Sequence, residues 1–155
     1  MSLPYAQSKA DPSKAQSRIR EMLKKFGVQQ LSFVEDFEKG ILTVYFKYKE
    51  YPVMVPISVH KLAEAFLKRN PYTSRKHSTK EEWESKYFSA AHNGVFSIME
   101  DLIKSLITIV SVSDGQYSFE EIFFSFFINK NGKRMGEMIK DNLPKLIGSG
   151  LGEER

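Results

Sequence analysis

Cysteine is absent from all 155 residues. That excludes disulfides, zinc–thiolate sites, iron–sulfur clusters and cysteine nucleophiles together, and fits a reducing compartment. Long apolar runs are missing too. The most apolar stretch, residues 102–112, is interrupted by Lys104 and Ser105 and is too short for a helix that spans a bilayer. No leader pattern is read near the start. Histidine is scarce: His60, His77 and His92 are the only three, and none has a histidine or carboxylate at the spacing of a metal-binding helix. The chain also lacks the glycine-rich loops that cradle nucleotide phosphates and the G-x-S-x-G nucleophile elbow. No metal, cofactor or catalytic residue is therefore assigned, and the reading leans away from an enzyme.

What is present is ordinary in amount and uneven in placement. The 41% hydrophobic and 27% charged fractions are those of a globular protein. A chain of this length can bury a sizeable core without staples. Residues 11–147 read as a single domain, with 1–10 and 148–155 as flexible tails. Net charge is +4. Much of it sits in one loop-like stretch, KRNPYTSRKHSTK, which carries Lys68, Arg69, Arg75, Lys76 and Lys80 with no acidic residue. Asn70-Pro71 breaks any helix there, because the residue before proline is pushed out of the α region. Tyr72 is the only large apolar side chain in the stretch.

Periodicity supplies the rest. Asp11-Pro12 starts a helix in which Ala15, Ile19, Met22, Leu23 and Phe26 share a face, and Gly27 ends it. Its polar face, with Lys14, Arg18, Lys24 and Lys25, forms a second basic surface. Three strands follow: a short one over 31–34, a well-alternating one over 41–49, and a third around Val53, Val55 and Ile57. Pro52 and Pro56 place the third at a sheet edge, since proline cannot donate to a ladder. A helix capped by Ser58 runs to Leu67. Thr79 and Glu82 make a capping box for a long helix to about Val112, apolar on two faces and so central and buried. Ser118 and Glu121 make another. Asn131-Gly132 predicts a type I′ hairpin of 127–129 against 133–135. A last helix over 136–147 turns Met138, Ile139 and Leu143 inward and is bent near Pro144. The fold class is α+β: a three-stranded antiparallel meander packed by helices, a long central helix, and a C-terminal hairpin and helix.

In order along the chain, "SRIREMLKKFGV" ahead of strands, a basic loop ahead of a long helix opening on "EEW", and "SVSDGQYSFEEIFFSFFINKNGKRMGE" together cover most of residues 15–145. In this order of elements the chain resembles a family of small, mostly uncharacterised bacteriophage and prophage proteins. The resemblance implies a phage or prophage origin and a shared fold; with no leader or membrane span read, the location expected is the host-cell cytoplasm. It implies no activity and brings no catalytic residues.

Two functional readings stand side by side. In the first, a non-enzymatic phage accessory protein contacts DNA or RNA, preferring single strands. Lys68, Arg69, Arg75, Lys76 and Lys80 meet phosphates and Tyr72 stacks on a base. In the alternative, the protein-interaction reading, an inhibitor or adaptor docks on a host or phage protein, or on a second copy, through the Phe-rich run 119–127. Phe123, Phe124 and Phe127 are then the contact residues. Neither reading involves a membrane.

Overall fold

The structure is a computed structural model that describes residues 3–9, 11–76 and 78–148. Asp11 caps the first helix, α1 (Pro12–Phe26), by accepting the Ser13 backbone N–H, and a left-handed Gly27 closes it. The caps of α2 (Val59–Arg69) and α3 (Lys80–Val112) are those expected. Ser58 accepts the Lys61 N–H, and Thr79 and Glu82 bond each other's backbone reciprocally. At 33 residues, α3 is about 50 Å long.

The sheet is a meander, β1 (Gln30–Asp36), β2 (Ile41–Tyr48) and β3 (Tyr51–Ser58), all antiparallel with β2 central. The edge position expected for β3 holds, with Pro52 opposite Lys47 and Pro56 opposite Thr43. Its outer edge is not bare: the Pro52 carbonyl accepts the Ile128 N–H at 2.9 Å. Alternation sends Leu42, Val44 and Phe46 of β2, with Val53 and Val55 of β3, to one face. That face meets Ala15, Ile19 and Leu23 of α1 and Val95, Phe96, Met99 and Ile103 of α3 in the main core. A smaller cluster, Ala63, Phe66 and Ala91, joins α2 to α3.

Only the middle of α3 is buried. Phe88 near its start and Ile109 and Val112 at its end are exposed, so the expectation of a helix buried along two whole faces fails at both ends. The sheet is shorter than the helix and leaves the ends uncovered. Gly94 marks a close crossing: a Cβ there would stand 3.3 Å from both a Leu62 methyl and the Tyr5 carbonyl. Residues 3–9, read from sequence as part of a flexible tail, lie against this point. Tyr5 donates to Asp101 at 2.6 Å, and Ser8 meets Ser97. The phenol bonded to the Asp101 carboxylate has its pKa raised, first by that hydrogen bond. Of the expected C-terminal tail, Gly148 ends a π-type turn (Pro144–Gly148), and 149–155 lie outside the described residues.

The C-terminal part differs from the sequence reading in two ways. The hairpin forms, with Ile128 bridging Arg134, but its turn is not type I′. Asn129 pairs with Lys133 around a three-residue loop in which Gly132 alone has positive φ, 79°. The Asn129 side chain accepts from the N–H of Asn131 and of Lys133 and fixes this wider turn. The last helix, α5 (Met135–Leu143), buries none of its residues, and Met138 and Leu143 are exposed rather than inward. It packs chiefly on the 3₁₀ turn Phe124–Phe126, so no broad surface faces its apolar side.

Candidate functional site

The basic segment begins on the last turn of α2, where Lys68 and Arg69 are exposed, and ends at Lys80 on the first turn of α3. Two contacts tie it to α3. Trp83, the chain's only tryptophan, donates its indole N–H to the Asn70 carbonyl at 2.8 Å and so ties the loop's start to the helix that follows it. At the loop's far end, the Lys76 ammonium lies 4.7 Å from the Trp83 ring centre. Lys86, one turn further along α3, lies 5.3 Å from the same ring, and Tyr87 meets it edge-on at 5.2 Å. Cations over an indole face are attracted by its quadrupole. Arg75 is exposed, Tyr72 is half-buried, and His77 lies outside the described residues.

Two cations, Lys76 and Lys86, thus lie over the Trp83–Tyr87 pair, and Lys68, Arg69, Arg75 and Lys80 belong to the same stretch of chain. Three carboxylates sit among them. Glu82 is committed to the capping box, Glu84 pairs with Lys80 at 3.9 Å, and Glu81 lies in the same first turn. Lys86 was missed in the sequence reading because it lies inside the helix rather than in the loop. Its i,i+3 spacing from Trp83 is the signal that could have found it.

The second basic surface is elsewhere. Arg18 donates to both oxygens of Glu100, which raises its pKa, the hydrogen bond to Glu100 being the main cause. Glu100 is about 25 Å along α3 from Trp83. Lys24 and Lys25 lie beyond it, near Phe26, which packs on Tyr48 and Phe119. The two basic surfaces are not contiguous.

The Phe-rich run is mostly interior. It breaks into α4 (Phe119–Phe123), the 3₁₀ turn and a bridge from Phe127 to Val53, so its rings spread over several directions. Phe119 stacks on Phe123 at 4.5 Å, and Phe127 stacks on Tyr51 at 4.9 Å. Phe123 is fully buried, which corrects its reading as a partner contact: it is core. Phe127 is half-buried, and Phe124 is 42% exposed.

One arrangement has no counterpart in the sequence reading. Glu35, at the end of β1, meets His92 of α3 at 2.5 Å. The two are 57 positions apart, so no local spacing announces the pair. They line a cleft of about 400 Å³ between the β1–β2 turn, the start of α2 and α3. Among the described residues no three His, Cys, Asp or Glu side chains converge as a metal site requires. None of the described helices is long and apolar enough to cross a membrane.

No protein-family model, curated protein or solved structure matches the chain.

Proposed function

We propose that the protein contacts nucleic acid, single strands in preference, through the Lys68–Lys80 loop and the first turns of α3. The observation that carries this reading is the anchoring of the loop on Trp83, with cations held around an aromatic cluster. Exposed Arg75 and Lys76 meet phosphates, and Tyr72 offers a ring for stacking. A loop already held in place loses less entropy on binding than a free one. The role as a non-enzymatic phage or prophage accessory protein rests on the sequence resemblance alone.

Trp83 gives the test a built-in reporter. Labelled single strands and duplexes, DNA and RNA, are titrated at about 50 and 200 mM salt, a range in which backbone binding weakens sharply. The expected result is salt-sensitive binding, tighter for single strands, that changes Trp83 fluorescence. The salt slope should be no steeper than about −4, the limit for six phosphates neutralised on a single strand. Arg75→Ala/Lys76→Ala should weaken binding and lower that slope by roughly 1 to 1.5. Equal affinity and slope in the double variant, or no binding at low salt, would refute the assignment.

A second reading has one observation in its favour. Met138, Leu143, Leu146 and Ile147 are exposed along α5 and the turn that follows, with Phe124 exposed nearby in sequence on the turn that α5 packs against. Such a surface suits a protein partner or a second copy. Sedimentation over a concentration series checks self-association, and a strictly monomeric chain unchanged by Leu146→Lys would count against it.

A further inference from the structure

We propose that the cleft between the β1–β2 turn and α3 binds a small organic cation, an ammonium or guanidinium carried on an apolar stem. The cleft's size, about 400 Å³, is within the range of small-molecule sites. Its lining is sorted by charge. Glu35 and Asp36 face it and no lysine or arginine does, in a chain where Lys and Arg outnumber Asp and Glu by 23 to 19; its other titratable groups are the imidazoles of His60 and of His92, the latter bonded to Glu35. An anion is therefore repelled where a cation is attracted.

Each carboxylate keeps an oxygen for a ligand. Glu35 uses Oε1 on His92, and Asp36 uses Oδ1 on the Lys39 backbone N–H at 2.9 Å. The second oxygen of each accepts no hydrogen bond from the described residues. A guanidinium or ammonium presents the several N–H donors that such oxygens take.

The aromatic residues argue for the same chemistry. Phe37, at the turn beside Asp36, is 82% exposed, and nothing in the core accounts for it. Phe88 faces the cleft from α3, also partly exposed. Phenyl rings beside two carboxylates attract a cation by their faces and cover its stem by their apolar bodies.

The wall between them is built in advance. His60 packs edge-on to Phe88 at 5.6 Å, and its ring occupies the space that a Cβ on Gly40 would need. The Gly40 carbonyl accepts the N–H of Val59 at 2.8 Å and of His60 at 3.3 Å, so turn and helix hold each other. A cleft already shaped loses little on binding.

The test is an NMR titration of the full chain, following the side-chain signals of Phe37, His60 and His92. The probes are n-butylammonium and butylguanidinium, with neutral n-pentanol and anionic butyrate as controls. The expected result is saturable shifts for the two cations, at millimolar concentration or below, and none of that order for the controls. Glu35→Gln/Asp36→Asn keeps shape and acceptors but removes charge, and should weaken cation binding at least tenfold. Phe37→Ala, at an exposed site that cannot threaten folding, should weaken it about two- to fivefold. Arg75→Ala/Lys76→Ala should leave it unchanged, which separates this site from the loop. Equal response to n-pentanol or butyrate, no saturation by either cation, or full affinity in the charge-neutral variant would overturn the proposal.

Discussion

Replacing Gly40 with alanine tests the joint between the β1–β2 turn and α2. Gly40 has φ of 63°, in the left-handed region. An alanine there costs about 1–2 kcal/mol in backbone strain. Roughly 0.5–1 kcal/mol returns because alanine restricts the unfolded chain. That leaves about 1 kcal/mol from the backbone alone. The larger effect is steric. The new Cβ would stand 2.1–2.4 Å from His60 Cδ2, Cγ and Nε2, far inside contact distance, so the imidazole must leave its place. Displacing a packed side chain in this way typically costs 1–3 kcal/mol. The sum is about 2–4 kcal/mol, a large share of the ~5–15 kcal/mol that holds a domain together.

A double-mutant cycle separates the two parts. In a His60→Ala background the ring is gone, and Gly40→Ala should cost only the backbone part, about 1 kcal/mol. Urea unfolding of the four proteins gives the coupling, expected at 1–3 kcal/mol with m unchanged. A coupling within about 0.5 kcal/mol of zero would refute the packing of His60 on the turn, and with it the prebuilt wall of the cleft.

Phe123→Ala should destabilise by about 3–5 kcal/mol, whereas Phe124→Ser should change stability by less than about 1 kcal/mol, both read by urea midpoints. Comparable losses at the two positions would contradict the division of this run into core and surface. Thr79→Ala removes the N-cap of α3 and should cost about 0.5–2 kcal/mol, seen as faster amide exchange in its first turn and a shift in Trp83 emission. Unchanged emission would mean that the cap does not position the loop's anchor. Tyr5→Phe tests the strap of residues 3–9 by its pH dependence. The phenol's folded pKa is raised above its ordinary 10.0, chiefly by the hydrogen bond to Asp101, so the bond's contribution is complete below that value and is lost as pH rises through the folded one. The thermal-midpoint gap between wild type and variant should be constant from neutral to mildly alkaline pH and close at higher pH. A gap that widens there would reverse the sign of the argument.

The local features were legible because each depends on a few adjacent residues. Thr79 with Glu82 marks the start of α3, and Ser118 with Glu121 that of α4. The alternation of Leu42, Val44 and Phe46 gives β2 its buried face, and Pro52 and Pro56 give β3 its edge. Most of the failures are questions of what lies opposite. Nothing in α5's spacing says that only a 3₁₀ turn will face it. Nothing in residues 3–9 announces Asp101 or Ser97 as partners. Asn131-Gly132 signals a turn, but the choice of a three-residue loop is made by Asn129, whose side chain bonds two backbone N–H groups across it. The basic loop was visible as composition. Its anchor was not, because Trp83 reaches back 13 positions to Asn70.

Both candidate sites draw on the first turns of α3, which lie outside the main core and touch only the smaller cluster around Ala63, Phe66 and Ala91. Between Lys80 and Ala90 no residue of the helix is fully buried, so packing alone cannot account for its regularity there. The capping box, the Lys80–Glu84 pair and the Trp83–Tyr87 contact, each within one helical turn, supply local support instead. Apart from Tyr87 and Ala90, which pack on the smaller cluster, side chains on this stretch are then less constrained than the core residues Val95, Phe96 and Met99. One side of the stretch carries Trp83 toward the loop. Another carries Phe88 and His92 into the cleft, where the strand-end Glu35 meets them. Because the sites share a helix but not a face, charge can be reversed at one without entering the other. Two binding functions of opposite charge preference, an anionic strand at the loop and an organic cation in the cleft, are therefore physically compatible within a single short chain.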